Sequence, residues 1–121
     1  MPKEIRTELG KITLTEDVIA NVAGHAALDC YGLVGMASRK QVKDSITELL
    51  GRENLSRGVQ VKIQDDQVII DMYIIVSYGT KITEVANNVI NKVKYTLEDF
   101  LGLVVDQVNI MVQGVRLTGE R

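Results

Sequence analysis

One long amphipathic helix between two apolar strands dominates the chain from Tyr78 to Val115. Within residues 81–101, apolar side chains recur every three or four positions, the spacing that puts them on one stripe of an α-helix. The stripe consists of Ile82, Val85, Ala86, Val89, Ile90, Val93, Leu97, Phe100 and Leu101. Gly102 predicts the end of this helix, and residues 104–115 predict a strand that follows it. The segment therefore predicts a helix whose apolar stripe packs on a sheet.

The first 80 residues predict further elements of the same domain from their apolar spacing and turn residues. In chain order they are a strand at 5–14, a helix at 16–30, a weaker helix at 38–50, a loop at 52–58 and a hairpin with strands at 59–64 and 68–77. Thr15 is suited to cap the first helix, and Asp65 and Asp66 are suited to the hairpin turn. The predicted fold class is α+β (an α/β two-layer). A single small mixed sheet is packed by one long and two shorter helices, in the order β-α-α-β-β-α-β.

Length and composition fit one globular domain. The chain has 121 residues, of which 45% are hydrophobic and 25% are charged. That is enough for a core without disulfides. We expect a single domain over residues 1–121, with an ordered core at about 5–117. The 14 basic and 16 acidic residues nearly cancel, giving a net charge of -2. The overall charge therefore does not favour nucleic acid or an anionic membrane as the partner.

The sequence predicts a cytoplasmic protein. Cys30 is the only cysteine, so it cannot form an internal disulfide, which favours a reducing compartment. The first 15 residues lack the apolar core of a signal peptide, and no run approaches the roughly 18 apolar residues of a membrane span. On the long helix, acidic residues offset Lys92 and Lys94, unlike the basic face of a membrane-surface helix. We therefore expect no direct membrane insertion, and a peripheral position at the inner membrane face only through a partner.

The residue types that carry out catalysis are sparse and scattered. His25 and Cys30 are five positions apart on one predicted helix, which points their side chains in different directions and does not favour a nucleophile pair or a metal site. Asp65 and Asp66 are better explained as turn residues than as a catalytic pair. Asp71 lies in the middle of a predicted strand, where we expect it to face solvent. The sequence thus predicts no catalytic residue, no metal site, no cofactor and no enzyme activity.

A second hypothesis comes from the connector between the two shorter helices. Gly32 and Gly35 form a GxxG motif there, and Arg39, Lys40 and Lys43 follow closely. A GxxG loop between two helices is the backbone clamp of KH-type RNA-binding modules. The loop itself holds Leu and Val instead of basic residues, so we favour the simpler interpretation, a helix stop followed by a buried apolar connector. Nucleic acid remains the less favoured partner, with these five residues as its site.

Several blocks of the sequence carry a family resemblance. They are Gly10-Lys11-Ile12 to Ala26-Ala27, Gly32-Leu33-Val34-Gly35-Met36, Val68-Ile69-Ile70-Asp71, Val76-Ser77-Tyr78-Gly79, the helical positions Ile82, Val85-Ala86, Val89 and Val93, then Leu101-Gly102-Leu103-Val104-Val105 and Val108-Asn109-Ile110-Met111-Val112-Gln113-Gly114-Val115. In order and spacing, over about residues 5–117, they resemble the alkaline shock protein family of Gram-positive bacteria, also called envelope stress response proteins. This chain is similar to the short members, which lack long charged extensions.

The resemblance implies a small non-enzymatic protein linked to cell-envelope stress, and it brings no catalytic residues with it. Our main hypothesis is an interaction or scaffold domain in envelope homeostasis. It docks on protein partners, among them a membrane-anchoring protein, and forms homo-oligomers. The edges of the predicted sheet are the physical basis of this hypothesis, because an unpaired edge can pair with a strand of another chain.

Overall fold

In a computed structural model, the chain is described at residues 3–38, 50 and 52–117. The strands are β1 (Lys3–Thr7), β2 (Gly10–Leu14), β3 (Leu33–Met36), β4 (Val59–Gln64), β5 (Gln67–Ser77) and β6 (Gln107–Arg116), and the helices are α1 (Glu16–Leu28) and α2 (Ile82–Leu101). A kinked 3₁₀ segment at Arg52–Gly58 stands where a loop was expected. The described residues therefore hold two α-helices and six strands in two sheets, which confirms the α+β class.

The larger sheet is organised around β5, which has strands on both edges. On one edge β6 runs parallel to it, from the pair Ile69–Gln107 to the pair Ser77–Arg116. On the other edge β4 and β3 follow each other, both antiparallel, so that Val59 lies opposite Met72 and Met36 opposite Ile74. The sheet is mixed, as predicted. Within the described residues, nothing pairs with the second edge of β6.

Both helices pack on one face of this sheet. Alternate residues of β5 face them and are fully buried: Val68, Ile70, Met72, Ile74 and Val76. On α2, the buried part of the predicted stripe is Val85, Val89, Val93 and Leu97. The stripe is thus confirmed at its centre, whereas Ile82 and Phe100, near the two ends of the helix, stay 40% and 72% exposed.

The N-terminal strand prediction was wrong in one respect. Residues 5–14 were expected to form one strand, but β1 and β2 form an antiparallel hairpin with a turn at Glu8 and Leu9. The Thr7 hydroxyl donates to the Gly10 carbonyl at 3.2 Å and closes the turn. The sequence gives little sign of the turn, because Glu8 and Leu9 are not among the residue types that favour turns.

The connector after α1 was also expected to be irregular, and it is a strand. α1 ends at Leu28, with Asp29 as its C-cap. Gly32, three residues after this cap, has a φ of +89°, and Leu33–Met36 then pair with β5. The amide of Ser77 donates to the Gly32 carbonyl at 2.8 Å, so the pairing begins at Gly32 itself. Most of the helix predicted at 38–50 lies outside the described residues.

Candidate functional site

The two residues considered for nucleophilic chemistry are not brought together. His25 is exposed on α1 and lines a groove between the helices, whereas Cys30 is half-buried beyond the end of α1 and does not line it. Burial raises the pKa of the Cys30 thiol; Lys92 opposes this effect and Asp29 adds to it. A thiol with a raised pKa is a poor nucleophile at neutral pH. No group of three or more possible metal ligands exists among the described residues.

The groove beside His25 is formed by residues of both helices. It has a volume of about 400 Å³ and lies between α1 and α2. Its lining residues are Asn21, Val22, His25, Ala26, Asp29, Lys92, Thr96 and Phe100. Phe100 is 72% exposed, the largest apolar side chain along this groove. The mixture of one aromatic ring, small apolar groups and both charge signs suits a protein surface better than a small charged substrate.

Asp71 does not face solvent, so that expectation was wrong. Its residue is 7% exposed, on the sheet face opposite the helices. Asn109 donates to its Oδ1 at 2.9 Å, and Lys62 Nζ lies 3.0 Å from its Oδ2. Burial by itself would raise the pKa of Asp71, but the bonds from Asn109 and Lys62 outweigh it and hold the pKa below its usual value. The carboxylate therefore stays ionised and ties β4, β5 and β6 together.

Asp65 and Asp66 form the turn between β4 and β5, as predicted. Both have a positive φ, of 50° and 68°. Two consecutive positive φ values are the mark of a type I′ turn, which matches the twist of a hairpin and which Asp tolerates better than most residues. The pair is therefore accounted for by local structure.

Three of the four residues of the GxxG motif lie in strand β3, and Gly32 comes directly before it. Gly35 pairs with Ile75 of β5, and a Cβ atom on Gly32 would come within 2.7 Å of Val85 Cγ2. Both glycines are thus explained by the fold, because Gly35 lies in the sheet and Gly32 lies against α2. Arg39, Lys40 and Lys43, the basic part of the predicted RNA site, lie outside the described residues.

The outer edge of β6 is a candidate interaction surface. The sequence predicted that sheet edges would be important but did not indicate which strand forms the edge. The helix-side residues Val112 and Val115 of β6 are 37% and 46% exposed, and Ile110 is half-buried against the core. From Gln107 to Val115 the strand has no charged residue and no proline. We call Ile110, Val112 and Val115 the β6 patch. The signal that could have found it is the absence of Lys, Glu and Pro from an apolar terminal strand.

A network of hydrogen bonds, which we call the polar lock, holds the connection from α2 to β6 in place. Lys94 Nζ donates to the Val105 carbonyl at 2.6 Å and to Glu98 at 2.9 Å, and Glu98 also accepts from the Val105 amide at 3.3 Å. The bonds from Lys94 and then from the Val105 amide lower the pKa of Glu98. Asp106 continues the lock, because its Oδ2 accepts from the Val68 amide at 2.8 Å. The position of the β6 patch is therefore set at its N-terminal end.

Among the described residues, no helix combines the length and the apolar character needed to cross a membrane.

Comparison with known proteins gives consistent matches over most of the chain. Residues 4–117 match the sequence model of the alkaline shock protein (Asp-23) family, described as having a cell envelope-related function. The chain is 63% identical over 118 residues to the uncharacterized protein YloU of Bacillus subtilis, covering 98% of each chain. It is 45% identical over 120 residues to the uncharacterized protein Spy1614 of Streptococcus pyogenes, covering 99% of each.

A more distant relative is the uncharacterized protein YqhY of Bacillus subtilis, 33% identical over 110 residues, which are 91% of this chain and 80% of that protein. No solved structure matches the chain significantly.

Proposed function

Since the chain belongs to the alkaline shock protein family, whose described function is related to the cell envelope, we propose that it is a non-enzymatic interaction domain acting in envelope homeostasis. It binds other proteins through its exposed apolar surfaces. In this proposal it works in the cytoplasm, and a membrane-anchoring protein holds part of it at the inner membrane face.

The observation that carries this proposal is the way in which apolar and polar groups are divided over the described surface. Large apolar side chains are exposed at the α1–α2 groove, through Phe100, and along the β6 patch. The carboxylates with a lowered pKa, those of Asp71 and Glu98, already have partners within the fold. Exposed apolar groups next to polar residues that are already satisfied favour protein binding over chemistry on a small substrate.

The partner class follows from the same surfaces. A β-strand can extend the sheet at the β6 edge, where main-chain hydrogen bonds give affinity and apolar side chains give specificity. The groove offers an aromatic anchor of the kind that dominates protein interfaces. Both modes need another polypeptide, either a different protein or a second copy of this chain.

A co-purification with membranes retained tests the proposal. Tagged full-length chain is recovered from Gram-positive cells under mild conditions, beside a double variant, Phe100→Lys with Val112→Lys. The control is Leu9→Lys, which changes an exposed apolar residue at the β1–β2 turn, away from both surfaces.

We expect the wild type and the Leu9→Lys control to behave alike: they retain the same proteins, and they self-associate to the same extent in light scattering. We expect the double variant to lose whichever of these properties the wild type has. A wild type that is monomeric at all concentrations and retains no protein that the double variant loses would contradict the proposal. Recovery of RNA that survives the double substitution would contradict it as well.

A further inference from the structure

We propose that β6 pairs with β6 of a second copy of this chain, antiparallel and about a two-fold axis through Ile110. The inference rests on the proposed function, of which it names one partner and one surface. Two four-stranded sheets would become one sheet of eight strands, with the helices of both copies on the same side. Three features of the described residues support this pairing: the direction of the main chain, the distribution of charge and the chemistry of the exposed side chains.

The main chain of Ile110 points away from β5. Tyr73 and Ser77 of β5 bond to the β3 side, since Tyr73 O accepts from Ala37 and the Ser77 amide donates to Gly32 O. The even-numbered residues of β5, Met72 among them, therefore direct their main-chain groups to β6. Met72 lies opposite Ile110, and in a parallel pair a residue bonds to the two neighbours of its opposite residue. The amide and carbonyl of Ile110 are thus left on the outer edge.

This edge has few of the features that normally protect a strand from pairing. Natural edges carry lysine, proline or inward charges, or are very short. β6 is 10 residues long, and its stretch from Gln107 to Val112 pairs regularly with β5 and has no charge and no proline. One irregularity exists, a bulge at Gln113, and it lies beyond this regular stretch. About Ile110, the regular residues that lie opposite regular residues are 108–112, five on each copy, which is an ordinary strand length.

The charges at the two ends of β6 select the antiparallel direction. Asp106 precedes the strand and Arg116 ends it, and both are exposed. Asp106 lies four residues before Ile110. Arg116 lies five ladder positions after it, because Gln113 is the extra residue of the bulge. An antiparallel pair about Ile110 places each Asp106 one ladder position from Arg116 of the second copy, on the other face of the sheet. The two charges then attract each other at longer range without a direct contact, whereas an in-register parallel pair would bring like charges together.

The side chains complete the match. About this axis Ile110 meets its own copy, and Val112 lies opposite Val108 of the second copy. All three residues face the helix side of the sheet, where Ile110 is half-buried and Val112 is 37% exposed. β-branched residues opposite each other are among the favourable cross-strand pairs. The second copy thus covers two residues of the β6 patch, Ile110 and Val112, where α2 leaves them open.

Disulfide trapping tests the register directly. Cys30→Ser removes the native thiol, and Ile110→Cys is then added. Opposite residues in an antiparallel pair have Cα atoms about 4.5–5.5 Å apart, which a disulfide can bridge. The matched control is Val115→Cys in the same Cys30→Ser chain, on the same strand and face and with greater exposure. Its two copies would lie roughly 27 Å apart, which no disulfide spans.

Under mild oxidation we expect a covalent dimer with Ile110→Cys and little with Val115→Cys. In light scattering, we expect Val112→Lys to shift dimer dissociation to about tenfold higher concentration or more, because a charge would be placed against the apolar edge of the second copy. Arg116→Glu should weaken the dimer at low salt, and Tyr95→Lys, on the exposed side of α2, should leave it unchanged.

Each alternative outcome overturns the inference. A dimer that forms with equal cross-linking at both positions, or that Val112→Lys leaves intact, associates through another surface. A monomer that still retains proteins lost by the double variant contradicts self-pairing and leaves the proposed function standing. A monomer that retains no such protein contradicts both.

Discussion

At the scale of single residues, Asp71 has the most demanding environment among the described carboxylates. Its charge is nearly covered and is compensated by Lys62 and Asn109 on the two neighbouring strands. Asp71→Asn would remove the ion pair and leave Lys62 facing a neutral group. We expect a loss of about 1–3 kcal/mol in the free energy of unfolding, measured by urea titration. Asp65→Asn, in an exposed turn position that Asn also tolerates, serves as the control and should change little.

The same carboxylate should make stability depend on pH. Its pKa is lower in the folded chain than in the unfolded chain. The unfolded chain therefore binds a proton first as pH falls, and the stabilisation is lost progressively as pH falls from the ordinary aspartate range through the folded pKa. We expect Asp71→Asn to flatten the fall of the unfolding free energy on the acid side of about pH 4. Parallel curves for wild type and variant would contradict this assignment.

A comparison of Gly32 with Gly79 distinguishes two reasons why a position needs glycine, a positive φ and a close contact. Both have a positive φ, of +89° and +96°, but a Cβ on Gly32 would meet Val85 at 2.7 Å, whereas one on Gly79 would meet open space. We expect Gly79→Ala to cost about 1–2 kcal/mol from backbone strain alone, and Gly32→Ala to cost more in the same chemical denaturation experiment. Gly10→Ala, where no atom is nearby, should be close to neutral. Equal losses at the two positive-φ positions would contradict a role for the contact with Val85.

At the scale of elements, α2 presents one apolar pattern with two environments. Val89 is fully buried and Phe100 is 72% exposed, although both belong to the same sequence stripe. We expect Val89→Ala to lower the unfolding free energy by about 2 kcal/mol and Phe100→Ala to change it by less than about 0.5 kcal/mol. If Phe100→Ala were the more damaging change in thermal and urea unfolding of the monomer, Phe100 would have to be a core residue.

The elements also show which parts of the fold are readable from sequence. The period of α2 and the turn at Asp65 and Asp66 follow from local rules, because helix periodicity and turn preference are encoded within a few neighbouring residues. The strand at Leu33–Met36 does not. Its pairing with β5 joins segments about 40 residues apart, and four residues give too short a pattern to recognise. The covered position of Asp71 was missed for the same reason, since its partner Asn109 is 38 residues away.

The candidate site was only partly predictable. The sequence indicated that sheet edges would matter, but not that β6 would form the edge, because strand order depends on which segments meet in space. For the GxxG motif, the sequence suggested a specific site, but the structure explains its glycines in another way. Its spacing matched a nucleic-acid clamp, yet Gly32 is required by a close contact with Val85 and Gly35 lies in a strand.

At the scale of the whole molecule, the described body divides into a well-packed layer and a projecting hairpin. The buried core lies between the four-stranded sheet and the two helices, whereas β1 and β2 are mostly exposed and make most of their contacts with each other. A two-stranded hairpin by itself is only marginally stable. We expect the amides of β1 and β2 to exchange with deuterium at least about a hundredfold faster than those of β5, measured by native-state hydrogen exchange. Equal protection would mean that another surface covers the hairpin.

The central position of β5 also has a consequence for synthesis of the chain. β5 leaves the ribosome before α2 and β6, and the bonds that close its second edge join residues 38 positions apart, such as Val68 and Asp106. Until β6 arrives, the most apolar strand of the protein has one open edge while translation continues. A delay between the emergence of β5 and the docking of β6 would lengthen this interval and favour aggregation of the nascent chain. Prompt docking of β6 therefore protects the central strand while the chain folds.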